Sequence, residues 1–500
     1  MIIHGIKVTG ITSSSKKVKT GYGFVALKGE KHDGNAYIDE AIRNGAAIIF
    51  TESNITHKDV PIIKVKDARE TLAELCNRFY NYPSDKLKII GVTGTNGKTT
   101  TTNMIYEILR NYGMSVGLIG TLCIKINDRL YESNYTTPLA EEIYHYIAKM
   151  VEEKVKVLVM EVSSHGLKTN RVHGIEFDIA IHTNIERDHI NFHKTFDDYL
   201  QSKKKLFDGL ENGKIGIINI DNQHGLRLLE GNHNIVIITY GLNTKATITA
   251  SAIDSDETTA FNYCLQRGIT SISGVEIEPF EYPIKLPLAG KHNIYNALSA
   301  ITCGLLLDMP IASIAKQVKG FKPISRRMEV IYDKEFKIID DFCHNPASYE
   351  AVLGTIQTME YNSLHIINAI RGNRGVDINK ENAEVLKQWG EILNVKNLYI
   401  TSSRDVCGPL DEVTSEERDG FLEVFSNTTI PVRYEEKLQE AIDRALSNMK
   451  DRDLLLLLGP QGMDKGKDIC IRLLKKNKHD YTTVPYIVHD YKENLVPIEF

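Results

Sequence analysis

Residues 88–99 read KIIGVTGTNGKT, an apolar run that passes into the glycine-containing segment Thr93-Gly94-Thr95-Asn96-Gly97-Lys98-Thr99. We predict a strand from Leu87 to Val92 before this segment and a helix from about Thr99 to Asn111 after it. Backbone N–H groups and the helix N-terminus can hold phosphates in that setting. Lys98 would then neutralise the outer phosphates, and the Thr99 hydroxyl would bind Mg²⁺. Val92 stands where the general pattern G-x-x-x-x-G-K-[ST] has its first glycine.

Two further apolar runs end in polar side chains. Val157–Met160 leads directly into Glu161, and Ile179–His182 leads into a segment that contains His189. The carboxyl ends of the strands in an α/β sheet are where ligands and metals bind. Each residue taken alone is more typical of a solvated loop, but beside a phosphate loop we predict Glu161 as a Mg²⁺ ligand. His189 is predicted to bind a second Mg²⁺ or to stabilise transferred phosphate.

Composition excludes several classes of protein. The 500 residues carry 60 Lys and Arg against 65 Asp and Glu, with 42% hydrophobic and 25% charged residues. These values are typical of globular chains and not of disordered, collagen-like or nucleic-acid-binding ones. The seven cysteines contain no C-x-x-C pair, which indicates thiols in a reducing compartment. With no secretory signal and no run long enough to span a membrane, we expect a soluble cytoplasmic protein.

The alternation of apolar runs and helical patterns predicts an α/β fold in three units. We place them at 1–86, 87–325 and 326–500. The central unit is predicted to hold a mostly parallel sheet, with an antiparallel excursion from Ala246 to Pro287. The third unit alternates strand and helix in a doubly wound pattern. The polar and aromatic tail from about 479 to 500 receives no assignment.

Four segments in order resemble the Mur ligase family of ATP-dependent amide ligases. They are T-G-T-N-G-K-T, E-V-S-S-H from Glu161, T-N-x-x-x-D-H from Thr183, and G-x-H-N-x-x-N-A from Gly290. Within the family, the uridine-type segment Ile11–Gly34 and the motif Thr136-Thr137-Pro138 resemble MurE-type ligases, which extend UDP-MurNAc-L-Ala-D-Glu. The likeness covers roughly residues 5 to 475. It implies a small N-terminal uridine-binding domain, a central P-loop ATPase domain and a C-terminal Rossmann-like domain for the incoming amino acid.

The resemblance also implies roles at matched positions on the ATP side. The phosphate loop would bind ATP through Gly94, Thr95, Asn96, Gly97, Lys98, Thr99 and Thr100. Asn293 would contact adenine and Arg327 the γ-phosphate, while Asp341 and His344 would lie near the nucleotide. Two Mg²⁺ ions would be held by Thr99, Glu161, His189 and Lys203, and the catalytic set would be Lys98, Glu161, His189 and Lys203.

The sequence allows two interpretations of Lys203. At the matched position the family carries a carbamylated lysine, a modification that turns a cation into a carboxylate-like metal ligand. Without the resemblance, Lys203 reads as one cation of the triplet Lys203-Lys204-Lys205 on a wet helix face.

The substrate residues implied by the resemblance fall in two groups. The UDP-linked amino-sugar peptide would contact Ser15, Thr136, Thr137, Ser163 and Arg171. The free incoming amino acid would contact Arg374, Arg404 and Asp464. Arg374 can pair bidentately with an α-carboxylate, and Asp464 can meet a distal ammonium.

Departures from the family pattern concentrate on the substrate sides. Diaminopimelate-adding relatives carry D-N-P-R where this chain has TSSRDV at residues 401–406. Their G-K-G-H-E corresponds to PQGMD at residues 460–464, and their G-D-R-D corresponds to GNRG at residues 372–375. Ser14-Ser15-Lys16 replaces D-S-R, Arg326 replaces a glycine, and Thr169 replaces a glutamine. This pattern predicts the same reaction with altered substrates.

We therefore expect an ATP-dependent ligase that adds an amino acid to a UDP-linked cell-wall peptide through an acyl phosphate, acting as a monomer. A lysine-adding enzyme, an archaeal pseudomurein peptide ligase and a MurE paralogue remain open. A folylpolyglutamate-synthase-like ligase would lack the N-terminal uridine-type unit. A nucleotide-switched regulator without ligase activity would be expected to lose Glu161, His189 and Lys203, which are all present.

Overall fold

The computed structural model describes residues 1–29, 32–255 and 258–476 and the short strand Leu495–Val496. It has the predicted α/β class, with one main sheet in each of three successive units. We call these the N-terminal, central and C-terminal units, and their predicted boundaries at 86 and 325 stay predictions.

The N-terminal unit is built on a four-stranded parallel sheet in the order β3-β4-β5-β6. A separate antiparallel pair, β1 with β2, precedes it. The elements are β1 (Ile2–Ile3), β2 (Ile6–Lys7), β3 (Gly10–Thr12), β4 (Tyr22–Val25), α1 (Ile38–Arg43), β5 (Ala46–Thr51), β6 (Ile62–Lys64) and α2 (Ala68–Phe79).

The central unit carries the longest sheet. Its elements are β7 (Lys88–Thr93), α3 (Lys98–Asn111), β8 (Val116–Ile119), β9 (Ile124–Ile126), β10 (Arg129–Tyr131), α4 (Ala140–Glu152), β11 (Val157–Glu161), α5 (Ser164–Lys168), β12 (Ile179–His182), α6 (Ile190–His193), α7 (Phe196–Asp208), β13 (Ile215–Asn219), β14 (Val236–Tyr240), β15 (Ile248–Ser255), β16 (Thr259–Leu265), β17 (Ile269–Thr270), β18 (Glu276–Ile277), β19 (Phe280–Leu286), α8 (Lys291–Leu306) and α9 (Ile311–Lys319).

The C-terminal unit repeats the α/β alternation. Its elements are β20 (Glu329–Asp333), β21 (Lys337–Asp341), α10 (Pro346–Ile356), β22 (Leu364–Ala369), α11 (Val376–Ile392), β23 (Asn397–Thr401), α12 (Ser415–Glu423), β24 (Val432–Glu435), α13 (Leu438–Leu446), β25 (Leu454–Leu458) and α14 (Gly466–Lys476). The sheet order is β20-β21-β25-β22-β23-β24, parallel except for β20.

In the described ranges the central sheet has twelve strands, in the order β19-β16-β15-β14-β13-β12-β7-β11-β8-β9-β10-β26, where β26 is Leu495–Val496. Strands β15 to β8 in this order run parallel. The strands β13, β12, β11 and β8 are fully buried, which explains why they are apolar runs in the sequence. The strand order places β7 between β12 and β11, so their carboxyl ends share one edge. Most of the 479–500 tail lies outside the described residues, but β26 pairs with β10 of the central sheet.

The predicted elements agree with the structure where the apolar run is unbroken. Strands at Ile179–His182, Leu364–Ala369 and Leu454–Leu458 have the predicted bounds. The antiparallel excursion is confirmed, because β15, β16 and β19 pair antiparallel between residues 248 and 286.

The N-terminal unit docks on the central unit through α2. Asp67 caps this helix by accepting from the N–H groups of Arg69 and Glu70. The buried face of α2, including Leu72, shares a continuous apolar core with Tyr144 of α4. No helix of the described residues is long and apolar enough to cross a membrane.

We expect Leu456→Ala to destabilise the C-terminal unit strongly, because Leu456 is fully buried in the central strand β25. The loss should be about 2–5 kcal/mol in the free energy of unfolding. Trp389, the single tryptophan, lies in α11 of this unit, so its fluorescence in a urea titration reports the change. The same substitution at Leu410, which is 72% exposed, is the control and should change stability by less than about 0.5 kcal/mol. Equal shifts for the two variants would contradict this packing.

Candidate active site

The phosphate loop lies against the segment that follows β12. The Thr95 N–H donates to the Asn184 carbonyl at 2.8 Å, and the Thr183 hydroxyl donates to the Asn96 carbonyl at 2.6 Å. A Cβ on Gly94 would lie 1.8 Å from Thr183 Oγ1, so only glycine fits there. Helix α3 begins at Lys98, which places its N-terminus behind the loop as a phosphate site requires.

Two lysines converge on one carbonyl of this loop. Lys98 Nζ donates to the Gly94 carbonyl at 2.9 Å, and Lys203 Nζ donates to the same oxygen at 2.7 Å. Lys203 is 1% exposed, so the reading of it as a cation on a wet helix face is wrong. Burial, together with the charge of Lys98, lowers the pKa of Lys203 well below its usual value. The amine is therefore held toward its neutral, nucleophilic form.

Glu161 ends β11 as a buried carboxylate with hydroxyl partners. Its Oε2 accepts from Thr99 Oγ1 at 2.9 Å and from Thr121 Oγ1 at 3.1 Å. Its Oε1 accepts from the Thr121 N–H at 2.8 Å. Among the described residues there is no group of three or more His, Cys, Asp or Glu that could hold a metal. A hydroxyl and one carboxylate fit Mg²⁺, which is commonly completed by substrate phosphates and water.

His189 stands beside a carboxylate that the sequence reasoning missed. Asp188 Oδ2 lies 3.7 Å from His189 Nε2, and Asp188 is 2% exposed. Burial lowers the pKa of His189 to about 3, so the ring is neutral at neutral pH and able to bind a metal. The signal for Asp188 was its place directly before His189 in the quoted T-N-x-x-x-D-H segment.

The C-terminal unit reaches the same carboxylate. Arg371 Nη1 lies 3.1 Å from Asp188 Oδ1, and His344 Nε2 lies 3.5 Å from Asp188 Oδ2. Asn345 Nδ2 donates to Asp188 Oδ2 at 3.2 Å. Asn345 also exchanges side-chain hydrogen bonds with Asn96 of the phosphate loop, at 3.1 and 3.2 Å. Burial alone would raise the pKa of Asp188, but Arg371 and His189 outweigh it and hold that pKa well below its ordinary value.

Arg371 and Asn345 were likewise absent from the predicted site. Asn345 directly follows the predicted residue His344, and Arg371 closely follows strand β22. The place of Arg371 after a strand was the available signal, because polar residues there line the crevice of a doubly wound sheet.

A cavity of about 870 Å³ lies between the central and C-terminal units. Residues predicted for ATP and Mg²⁺ line it together: Thr95, Asn96, Gly97, Lys98, Thr99, Thr100, Glu161, His189, Asn293, Arg327, Asp341 and His344. Thr136 and Arg374 line it too. Gly94 and Lys203 are not among the lining residues, and the hydrogen bond between them connects α7 to the phosphate loop.

Three of the lining residues are held by specific contacts. Asp341 Oδ2 accepts from the Met328 N–H at 2.8 Å, and Asn293 Nδ2 donates to the Ala289 carbonyl at 2.7 Å. The Arg327 guanidinium lies 5.0 Å from the centre of the Phe342 ring. These contacts position a carboxylate, an amide and a cation around the cavity.

The predicted acceptor residues divide into a connected set and an isolated one. Thr137 Oγ1 donates to the Glu161 carbonyl at 2.9 Å and accepts from the Ser163 N–H at 2.9 Å. Arg171 donates to the Thr137 carbonyl at 2.7 Å. These bonds connect Glu161 to Arg171. Ser15 is not part of this set, since its hydroxyl donates to Glu40 at 2.6 Å within the N-terminal unit.

The predicted amino-acid residues are not brought together. Arg374 lines the cavity and lies 3.3 Å from Asp411. Arg404 is half exposed and pairs with Glu436 at 2.6 Å. Asp464 pairs with Arg326, whose φ of +58° lies in the left-handed region that glycine adopts more readily than other residues.

Comparison with known proteins places this chain in a family. Residues 7–80 match the Mur ligase family catalytic domain, 92–304 the Mur ligase middle domain, and 326–460 the Mur ligase glutamate ligase domain. The UDP-N-acetylmuramoyl-L-alanyl-D-glutamate–2,6-diaminopimelate ligase of Caldanaerobacter subterraneus subsp. tengcongensis is 32% identical over 459 residues, which cover 91% of this chain and 90% of the relative.

Solved structures agree in fold. One described as a UDP-N-acetylmuramoyl-L-alanyl-D-glutamate–2,6-diaminopimelate ligase aligns with a TM-score of 0.64 at 22% identity, covering 96% of this chain and 98% of the other. A pseudomurein peptide ligase type C from Methanothermus fervidus aligns with a TM-score of 0.58 at 19% identity, covering 92% and 95%. The chain therefore belongs to the Mur ligase family and is an enzyme of the ligase class.

Proposed function

We propose that this enzyme uses ATP to join an amino acid to the terminal carboxylate of a UDP-linked cell-wall peptide. The observation that carries the proposal is one cavity lined by both the phosphate loop and Arg374 of the C-terminal unit. Such a cavity allows ATP and an incoming amino acid to meet. The names of the relatives, which are ligases of UDP-N-acetylmuramoyl-L-alanyl-D-glutamate, support the choice of acceptor.

The ATP side of the proposed site has a role for each predicted residue. Residues 94–100, which include Lys98, would hold the phosphates. Asn293 would contact the adenine and Arg327 the γ-phosphate, with Asp341 and His344 beside the nucleotide. Mg²⁺ would be held by Thr99, Glu161, His189 and, as a carbamate, Lys203. When bound, it would neutralise phosphate charge.

The reaction proceeds in two displacements. A carboxylate oxygen of the acceptor bonds to the γ-phosphorus, and the bond to the β–γ bridging oxygen breaks, releasing ADP. The amine then attacks the acyl phosphate carbon, loses a proton, and displaces inorganic phosphate as the amide forms. Lys98 and Arg327 offset negative charge in the first step. Closure of the C-terminal unit excludes water, which would otherwise hydrolyse the acyl phosphate.

The acceptor would lie along Thr136 and the connected residues Thr137, Ser163 and Arg171, with its uridine end toward Ser15. Arg374 would hold the α-carboxylate of the incoming amino acid. Arg404 and Asp464 are the proposed contacts for its distal group, although both are engaged by other residues of the C-terminal unit. An archaeal pseudomurein precursor is the second candidate acceptor, favoured by the altered substrate-side motifs.

The enzyme is proposed to act in the cytoplasm as a monomer. All seven cysteines are free thiols, which agrees with a reducing compartment.

We expect ATP- and Mg²⁺-dependent phosphate release when UDP-MurNAc-dipeptide is supplied with one member of a panel of amino acids that includes diaminopimelate and lysine. Phosphate release and amide formation, followed by mass spectrometry, identify the amine. Lys98→Ala should lower kcat about 100-fold or more, because it removes a cation from the developing phosphate charge.

Lys285→Ala is the matched control, since this exposed lysine lies on β19 outside the cavity and should leave the rate unchanged. If no amino acid of the panel stimulates phosphate release or forms an amide with either the bacterial or the pseudomurein acceptor, the proposed ligase reaction is refuted.

We expect activity to depend on dissolved CO₂, because the neutral amine of Lys203 is the form that carbamylates. Depleting bicarbonate should lower kcat, and adding it back should restore the rate. The buried site disfavours the charged ammonium, so carbamylation should proceed at neutral pH without raising the pH toward the usual lysine pKa.

Lys203→Ala should be nearly inactive and unresponsive to bicarbonate, whereas Lys204→Ala, on the same helix, should keep the wild-type response. A wild-type rate that does not change on bicarbonate depletion, with no carbamate mass on the intact protein, would argue against the modified lysine.

A further inference from the structure

A buried ion pair spans the boundary between the central and C-terminal units. Arg371 Nη1 lies 3.1 Å from Asp188 Oδ1, and the two side chains are 8% and 2% exposed. Asp188 lies between β12 and α6 of the central unit, while Arg371 follows β22 of the C-terminal unit. The pair therefore forms only when the two units are together.

Arg371 is held by hydrogen bonds to other residues of the C-terminal unit. Its N–H donates to Asn379 Oδ1 at 3.3 Å, and its carbonyl accepts from Asn379 Nδ2 at 2.8 Å. Its Nη1 also donates to the His344 carbonyl at 2.9 Å, while Nε has no partner among the described residues. The backbone of Arg371 is thus attached to α11, and its guanidinium is attached to the carbonyl of His344.

Arg371 also shares a loop with the residue proposed to hold the incoming amino acid. Arg374 lies three positions further on, and both arginines line the cavity. The backbone N–H groups of Arg374 and Gly375 both donate to Glu417 Oε1 at 2.8 Å. Fixing Arg371 on Asp188 therefore fixes the Arg374 loop relative to His189 and the phosphate loop.

A second ion pair between the same two units provides a contrast. Arg187 Nη1 lies 2.6 Å from Glu381 Oε1, but these side chains are 61% and 32% exposed. Exposed pairs contribute little because water and salt screen them, whereas removing one partner of a buried pair leaves an uncompensated charge. The buried pair is thus the one whose loss should separate the units.

We propose that Arg371 is a positioning residue for the ligase reaction, which sets the C-terminal unit and its Arg374 loop against the phosphate site by pairing with Asp188. This inference rests on the proposed function for its kinetic consequences. The geometric part, closure of the two units by the buried pair, stands apart from catalysis.

The first test compares Arg371→Met, Arg371→Lys and the control Arg187→Met. We expect Arg371→Met to lower kcat about tenfold to hundredfold, because small misplacements of reacting groups cost this much. KM for the amino acid should rise, whereas KM for ATP should stay within about threefold, since the phosphate loop is unaltered. Arg371→Lys should recover part of kcat through its charge, and Arg187→Met should behave as wild type.

A double-mutant cycle tests whether Arg371 acts through Asp188. Asp188→Asn combined with Arg371→Met should be no worse in kcat than the poorer single variant, because both remove the same interaction. If the fold-losses in kcat of the two single variants multiply in the double variant, the proposal is overturned. It is also overturned if Arg371→Met and Arg187→Met have the same kcat.

Small-angle X-ray scattering with ADP supplies a readout that needs no turnover. Arg371→Met should have a larger radius of gyration than wild type and Arg187→Met, and Arg371→Lys should be intermediate. Thermal unfolding establishes that each variant is folded, and if Arg371→Met is not, Arg371→Lys and Asp188→Asn carry the comparison. Equal radii for all folded variants would overturn the proposal. A wild type that closes with ADP but forms no amide with any substrate would instead count against the proposed function.

Discussion

The phosphate loop passes so close to the end of β12 that only a glycine fits at position 94, and the rest of the site depends on this approach. The same contact brings the Thr183 hydroxyl onto the loop and leaves the Gly94 carbonyl facing two lysines. Because β11 lies on the other side of β7, Glu161 meets the first turn of α3 at Thr99. The sheet order therefore assembles the loop, two cations and a carboxylate before any other unit contributes.

Charge compensation then connects the central unit to the C-terminal unit. Asp188 lies in the central unit, but its arginine and amide partners, Arg371 and Asn345, come from the C-terminal unit. Asn345 contacts the phosphate loop as well, through Asn96. The nucleotide site and the boundary between the two units thus share side chains. The shape of the cavity therefore depends on the position of the C-terminal unit.

Local patterns predicted much of this arrangement, and contacts between distant residues account for the rest. Strands such as Ile179–His182 were predictable because burial on both faces requires an unbroken apolar run. The loop residues Thr95 to Thr100 were predictable because phosphate binding needs a short contiguous motif. The Asp188–Arg371 pair was not, since its members are far apart in sequence and the local position of each, after a strand, does not identify the other as its partner. For the same reason, the pairing of Asp464 with Arg326 was visible only in three dimensions.

The two-residue strand β26 gives the C-terminal unit a second attachment to its neighbour. The chain enters that unit after α9 and, beyond α14, returns to pair with β10 at the edge of the central sheet. The last strand of the central sheet therefore follows the whole C-terminal unit in the sequence, so during synthesis the central sheet is the last of the three main sheets to become complete.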